Sequence, residues 1–318
     1  MKNKFAIAIP TYNRSEILKE NILEIIEELK EFKIPLYISD DSNNSLTEFV
    51  VKELKKKYEG IHYIKNKKSL GHDKNCISTL MLPKEDYIWY LGDSLKVKKG
   101  MLKKILELIK EKEYTSIILN TEPDRVINLS KKNYNSGKKF FLELGWHVTM
   151  TGATIYNRDE MMKVFEKKKH IKYLGTNFPQ MGILLEMALK KNMEICWSNF
   201  KVITTNKKKN GSYWEKDPFK VFGEDWKNFI FMLPNKYSDS DKRKVIKDHS
   251  RKSGLFNLKY YLLIRKDRIL TFKYYIKYYS TLKYVSVIDV KIIPFVLLIP
   301  PISLKIIYKI IKKLKRRI

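Results

Sequence analysis

The residues best suited to chemistry lie in three short polar clusters, each placed directly after a run of apolar, β-forming residues. Pro10-Thr11-Tyr12-Asn13-Arg14 follows residues 4–9 (KFAIAI). Asp40-Asp41-Ser42-Asn43 follows 35–39 (PLYIS), and Gly92-Asp93-Ser94 follows 87–91 (YIWYL). Asp, Asn and Ser are common turn residues, so one such cluster alone reads equally well as a βα turn. Three on the same edge of one sheet mark a ligand site, because open α/β sheets bind ligands outside the carboxyl ends of their strands.

Those clusters need strands to carry them and helices to cover the strands. Residues 15–29 place Ile17, Leu18, Ile22, Ile25, Ile26 and Leu29 at helical spacing, with Ser15 as the expected N-cap. A helix at 47–58, a strand at 61–65, a loop at 66–73 and a helix from 74 to 81 follow. Helix 100–112 and strand 116–120 continue the alternation. Further on, 150–156 (MTGATIY) reads as a strand with a close approach at Thr151-Gly152-Ala153. Residues 178–190 read as an apolar helix, 195–204 as a strand, 206–212 as a Lys-rich loop, and the stretch beyond Asp217 as aromatic helix. Alternating β and α elements predict an α/β fold with a mostly parallel, doubly wound sheet.

The chain has 318 residues, 44% hydrophobic and 13% aromatic, which is enough to build a large core and excludes a disordered chain. Cys76 and Cys196 are too few for a disulfide framework or a cysteine metal cluster, and fit a reducing, cytosolic setting. The net charge is +29, and residues 241–318 hold 21 Lys and Arg against four Asp and Glu, a net +17 in the last quarter. A tail of that kind seeks a polyanion. No recognisable nucleic-acid module accompanies it, so nucleic acid is not the expected partner. The apolar run 292–304 is broken by Pro294, Pro300 and Pro301 and is too short to span a bilayer. Beyond it, Leu304, Ile307, Ile310, Ile311 and Leu314 share one helix face opposite lysines, the pattern of a helix lying in an anionic membrane interface. A terminal helix packed on its own domain is the competing reading. No secretory signal layout is expected at the N-terminus.

Four segments together, 7–14 (IAIPTYNR), 38–43 (ISDDSN), 70–75 (LGHDKN) and 87–100 (YIWYLGDSLKVKKG), resemble the family-2-type glycosyltransferases of the GT-A fold. The likeness is to bacterial members that build surface polysaccharides, such as the abequosyltransferase-like group, and covers roughly residues 4–230. It implies a Rossmann-like, mixed but mostly parallel sheet flanked by helices over residues 1–235; the charge and amphipathic pattern beyond it predict a helical, basic, membrane-associating region at 236–318. It also implies transfer of a sugar, with inversion, from a nucleoside diphosphate donor to a lipid-linked or cell-surface glycan acceptor. A UDP-sugar is the first donor expected, and the cytoplasmic face of the cell membrane the expected location.

By that resemblance Pro10, Thr11, Tyr12 and Arg14 lie beside the nucleotide base, and Asp40 or Asp41 hydrogen-bonds it. Gly71, Asp73, Lys74 and Asn75 lie near the ribose and diphosphate, where a cation such as Lys74 suits the phosphates. Gly92, Asp93 and Ser94 fall on the family's Leu-Gly-Asp-Asp-Asp motif, whose task is to hold Mn²⁺ or Mg²⁺ on the diphosphate. Here Leu95 stands at the last aspartate, leaving Asp93 as the metal-binding and catalytic acid. The family's base starts a helix after a later strand; the matching stretch, 175–181 (GTNFPQM), carries Asn177 and Gln180 but no acid. His147, Gln180 and Glu186 are the candidates, with His170, Asp159 and Glu160 nearby. Glu186 in an apolar helix, His147 beside Trp146, and the pair Asp159-Glu160 at a helix start all have structural readings too. Trp146 and Trp214 suit either sugar stacking or core packing.

Two other functions fit parts of the pattern. A nucleotidyltransferase would need a Gly-rich phosphate loop after the first strand, which PTYNR is not. A catalytically impaired donor-binding protein or membrane-bound scaffold of polysaccharide assembly fits the incomplete metal motif.

Overall fold

The computed structural model describes residues 4–122, 127–209 and 211–314, the last three without their side chains. They form two compact units, Met1–Gly211 with Met232–Lys236, and Ser212–Phe231 with Tyr237–Ile318.

The first unit is built on a nine-stranded mixed sheet among the described residues. Strand β1 (Phe5–Thr11) lies at the centre of its first half, parallel to β2 (Leu36–Asp40) and to β4 (Tyr87–Tyr90). Outside β2 runs β3 (Ile61–Lys65), also parallel. Helices α1 (Ser15–Glu31), α2 (Leu46–Lys55) and α3 (His72–Met81) link these strands. This is the doubly wound half that the alternation predicts. The strands read as continuous apolar runs because both faces are covered: Phe5 to Ile9 are all buried. Helix α1 turns Leu18, Ile22, Ile25, Ile26 and Leu29 inward. Ser15 does not cap it. Arg14 holds the cap position with no side-chain bond, and Ser15 is the first residue inside the helix.

The second half of this sheet is mixed. Strand β8 (Thr154–Asn157) runs antiparallel between β4 and β6 (Ser116–Thr121). Strand β9 (Ile195–Thr205) runs parallel to β6 and antiparallel to two short strands, β5 (Leu95–Val97) and β7 (Lys132–Tyr134). Neither short strand is visible in the sequence, since three residues are too few to show a period. Helix α4 (Met101–Glu111) follows Gly100, and α5 (Gly137–Leu144), α6 (Arg158–Glu166) and α7 (Pro179–Met187) complete the unit. All nine residues of α7 are buried.

The second unit is helical. A π-helical segment, Phe219–Asp225, leads into α8 (Trp226–Met232), then α9 (Asp239–Ser253), α10 (Leu258–Lys266), α11 (Phe272–Val285), α12 (Ile293–Leu298) and α13 (Pro301–Leu314). Its core is aromatic. Phe219 stacks on Tyr278 and meets Phe256 edge-on, while Phe222 stacks on His249. Those contacts put residues 212–231 with the helical unit, where the expected boundary at 235/236 assigns them to the first. Trp214 meets Phe222 edge-on at 5.2 Å, a packing contact. No single helix among the described residues is long and apolar enough to cross a membrane, and the segments Val290–Leu298 and Pro301–Ile311 meet at 90°. The side chain of Leu314 and residues 315–318 lie outside the described residues.

Candidate active site

The site forms where β1, β2 and β4 end on the same edge of the sheet. Thr11 and Arg14, at the end of β1 and the start of α1, both reach Asp93 in the turn after β4. Arg14 donates to Asp93 Oδ1 at 2.9 Å, and Thr11 Oγ1 donates to Oδ2 at 3.1 Å. Asp93 is 7% exposed. Burial pushes its carboxyl pKa upward, against the pull of Arg14, Thr11 and the Lys209 ammonium. A charged acid held this deep requires cationic and hydroxyl partners.

The turn is also held from behind. Asn21 on α1 donates to the Asp93 carbonyl at 2.7 Å and accepts from Asn206 Nδ2 at 2.8 Å. The Asn206 amide donates to the Ser94 carbonyl at 3.0 Å. The loop after β9, with Lys207, Lys208 and Lys209, is therefore anchored on the Asp93-Ser94 turn. Tyr12 stands exposed at the strand end, and Pro10 is half-buried.

Asp40 and Asp41 have separate structural work. Asp40 is fully buried, accepting from the Ser42 amide and the Tyr63 hydroxyl. Asp41 accepts four bonds, from Asn66 Nδ2, Ser69 Oγ and the amides of Leu70 and Gly71. A carboxylate has about four lone-pair positions, so this one is saturated by the loop it holds. That loop leads through Gly71, at φ 77°, into α3. At the start of α3, Asp73 Oδ2 accepts from the amides of Gly175 and Asn177, and Oδ1 lies 2.7 Å from His72 Nδ1. Asn75 is buried and ties α3 to β2 by accepting from Ser39 Oγ. Lys74 points outward and is exposed.

The donor set does not suit a divalent cation. Both Asp93 oxygens are engaged, one by a guanidinium. Ser94 is buried. Leu95 packs its side chain on the apolar core, where its Cδ1 would meet a Cβ on Gly152 at 2.8 Å and one on Gly92 at 3.5 Å. Leu95 therefore seals the turn from below instead of offering an oxygen. No cluster of three or more His, Cys, Asp or Glu with metal-binding proximity occurs among the described residues.

The expected acceptor side is structural at each candidate base. His147 is fully buried, its Nε2 donating to the Leu119 carbonyl and its ring packed edge-on against Trp146 and Trp197. Trp146 is buried with it. Glu186 is buried, and burial raises its pKa, but bonds from Lys172, Lys169 and Tyr173 outweigh this and hold it below the ordinary value. Gln180 is buried on α7, where its backbone carbonyl accepts from Tyr156. Glu160 pairs with Lys163 and Lys190, and Asn157 caps that helix. His170 packs on Phe165, and burial lowers its pKa. Asn21 and Asn206 hold the Asp93-Ser94 turn and His72 lies against Asp73, and sequence reasoning singles out none of these three, nor Lys209. A polar Asn21 within the apolar stripe of α1 was the available signal for the first.

The sheet order, with β3, β2, β1 and β4 parallel and a mixed second half, is that of a Rossmann-like α/β domain. Residues 6–171 match the profile "Glycosyl transferase family 2", just over half of the chain. The abequosyltransferase RfbV of Salmonella typhimurium is 33% identical over 100 residues, 30% of this chain and 30% of that protein, so the match spans under a third of the curated relative. The crystal structure of S. aureus TarS 1-349 superposes with a TM-score of 0.56 at 13% identity, covering 78% of this chain and 72% of that one. The same protein in complex with UDP and with UDP-GlcNAc gives 0.55 and 0.53. The chain belongs to glycosyl transferase family 2.

Proposed function

We propose that the first unit transfers a sugar, with inversion, from a nucleoside diphosphate donor to a hydroxyl of a lipid-linked or cell-surface glycan. The observation that carries this is the convergence of Thr11, Arg14 and Asp93 at the carboxyl edge of the sheet, between the ends of β1 and β4. The nucleoside lies against Pro10 and Tyr12, the loop held by Asp41 walls the ribose, and the diphosphate reaches the Arg14–Asp93 pair. The UDP and UDP-GlcNAc complexes of TarS make a UDP-sugar the first donor to test. In the reaction the acceptor oxygen bonds to the anomeric carbon, the bond to the diphosphate breaks, and the hydroxyl proton passes to a base. His72 is the group offered for that proton: its imidazole is partly exposed and oriented by Asp73, which also holds the 175–177 loop.

The second unit docks on an anionic bilayer at the cytoplasmic face. Phe295, Leu298 and Ile302 are 69%, 70% and 67% exposed, and Ile306, Ile307, Ile310 and Ile311 are exposed along α13, interleaved with lysines. Such a surface gains from burial in the interface and from attraction to acidic headgroups. The test of the enzymatic reading is calorimetric titration with UDP, GDP, CDP and dTDP, followed by hydrolysis or transfer assays with the matching sugar nucleotides. Binding of at least one diphosphate is expected; binding of none refutes it.

A further inference from the structure

The strand-end site departs from a metal site in a consistent direction. A divalent cation on a diphosphate wants one or two carboxylate oxygens besides phosphate and water. The turn after β4 offers one carboxylate, and it is already committed to a guanidinium and a hydroxyl. The neighbouring position that would add an acid is Leu95, packed against Gly92 and Gly152. In place of oxygens, the surroundings supply cations. Arg14 is fixed on Asp93. The Lys207–Lys209 run is hung on the same turn by Asn206, whose side chain and amide bond to Asn21 and the Ser94 carbonyl. Within that run Lys208 pairs with Glu20 at 2.7 Å, and the amide of the half-exposed Lys209 donates to the Asn206 carbonyl at 3.1 Å, a turn that keeps Lys209 beside the Asn206 anchor on the Asp93-Ser94 turn.

We propose that Arg14 and Lys209, and not a divalent cation, hold the donor diphosphate, with Asp93 serving to position Arg14. This rests on the reading above that the site takes a nucleoside diphosphate. Leaving-group charge on a diphosphate can be met by fixed cations as well as by a metal, since what matters is a preorganised positive field. A guanidinium suits it because it makes two directed bonds to phosphate oxygens.

The experiment is calorimetric titration of UDP, GDP, CDP and dTDP into the full chain in EDTA, in Mg²⁺ and in Mn²⁺. The Kd of the preferred diphosphate is expected to agree within about threefold across the three conditions, and Lys209→Met to weaken it about tenfold or more in EDTA. Lys207→Met, on the exposed neighbour, controls for the general charge of the loop and changes Kd by no more than about threefold. Circular dichroism and melting of Lys209→Met verify that the fold is intact. Binding that disappears in EDTA and returns with Mn²⁺ overturns the proposal while leaving the glycosyltransferase reading standing, and so does a Lys209→Met variant with wild-type Kd. Binding of no diphosphate in any condition overturns both.

Discussion

Replacing Asp41 separates its structural role from the base contact that its position in the chain suggests. Its carboxylate accepts two backbone amides at 2.7 and 2.9 Å and two side-chain donors at 2.8 Å each. Charge-assisted bonds of this kind contribute about 1.5–3 kcal/mol each, but water can reach loop 66–71 once it opens, so the loss stops at the cost of loop opening. Asp41→Ala is therefore expected to cost about 2–4 kcal/mol. The discriminating variant is Asp41→Asn. An amide presents one acceptor oxygen and turns its NH₂ toward two of the four donors, so the isosteric change is expected to cost at least as much as Ala. Urea unfolding measures the stability, and hydrogen exchange at the Leu70 and Gly71 amides reads the loop itself, with protection falling about 30-fold or more at 2 kcal/mol. A diphosphate Kd weakened in parallel follows from the proposed placement of the loop against the ribose. If Asp41→Asn unfolds within about 0.5 kcal/mol of wild type and both amides stay protected, the loop does not depend on this carboxylate and the account is wrong.

Other outcomes follow from the same geometry. Gly152→Ala is expected to cost about 1–3 kcal/mol, because φ is +96° and the new Cβ would sit 2.8 Å from Leu95 Cδ1; in a double-mutant cycle Leu95→Ala recovers the steric part only, and full additivity would refute the contact. Glu186 has a folded pKa below its ordinary value, so its stabilisation is full above the unfolded pKa and fades as pH falls through the folded one. Glu186→Gln should therefore flatten the acid limb of the stability profile measured by urea unfolding, and an unchanged limb sinks this. Changing Phe295, Leu298 and Ile302 to Ser removes about 1 kcal/mol of interfacial burial per side chain and should lower binding to phosphatidylserine vesicles about 100-fold, with no loss of diphosphate affinity; undiminished vesicle binding rules out this ridge as the contact. His72→Ala should cut kcat about 100-fold or more while leaving diphosphate Kd in place, and a kcat within tenfold of wild type removes it as the base.

Much of the first unit was legible from the chain alone. Apolar runs such as β1 and β6, and the helical stripe of α1, are local signals, because burial on both faces or on one face imposes its own period on neighbouring residues. The strand-end clusters were legible for the same reason, since a strand must stop where polar turn residues begin. The local pattern could not say which polar side chain in a cluster meets the ligand side and which holds the scaffold. Asp40 and Asp41 are adjacent and chemically alike, yet one bonds Tyr63 on β3 and the other bonds loop 66–71. Strand β5 is too short to announce itself, so the inward packing of Leu95 could be learned only once β5 had paired with β9.

The sequence by itself determined the kind of fold, the polar clusters at its strand ends, and the basic, amphipathic character of the last helices. The tertiary structure decided what those ends do. It placed Asn21 against Asn206 and brought the loop after β9 to the Asp93-Ser94 turn, because the sheet order sets β9 and β5 beyond β6 and closes a separation of 185 residues in the first of these pairs. A contact of that range is chosen by which strands become neighbours, a property of the whole sheet that no local run of residues encodes.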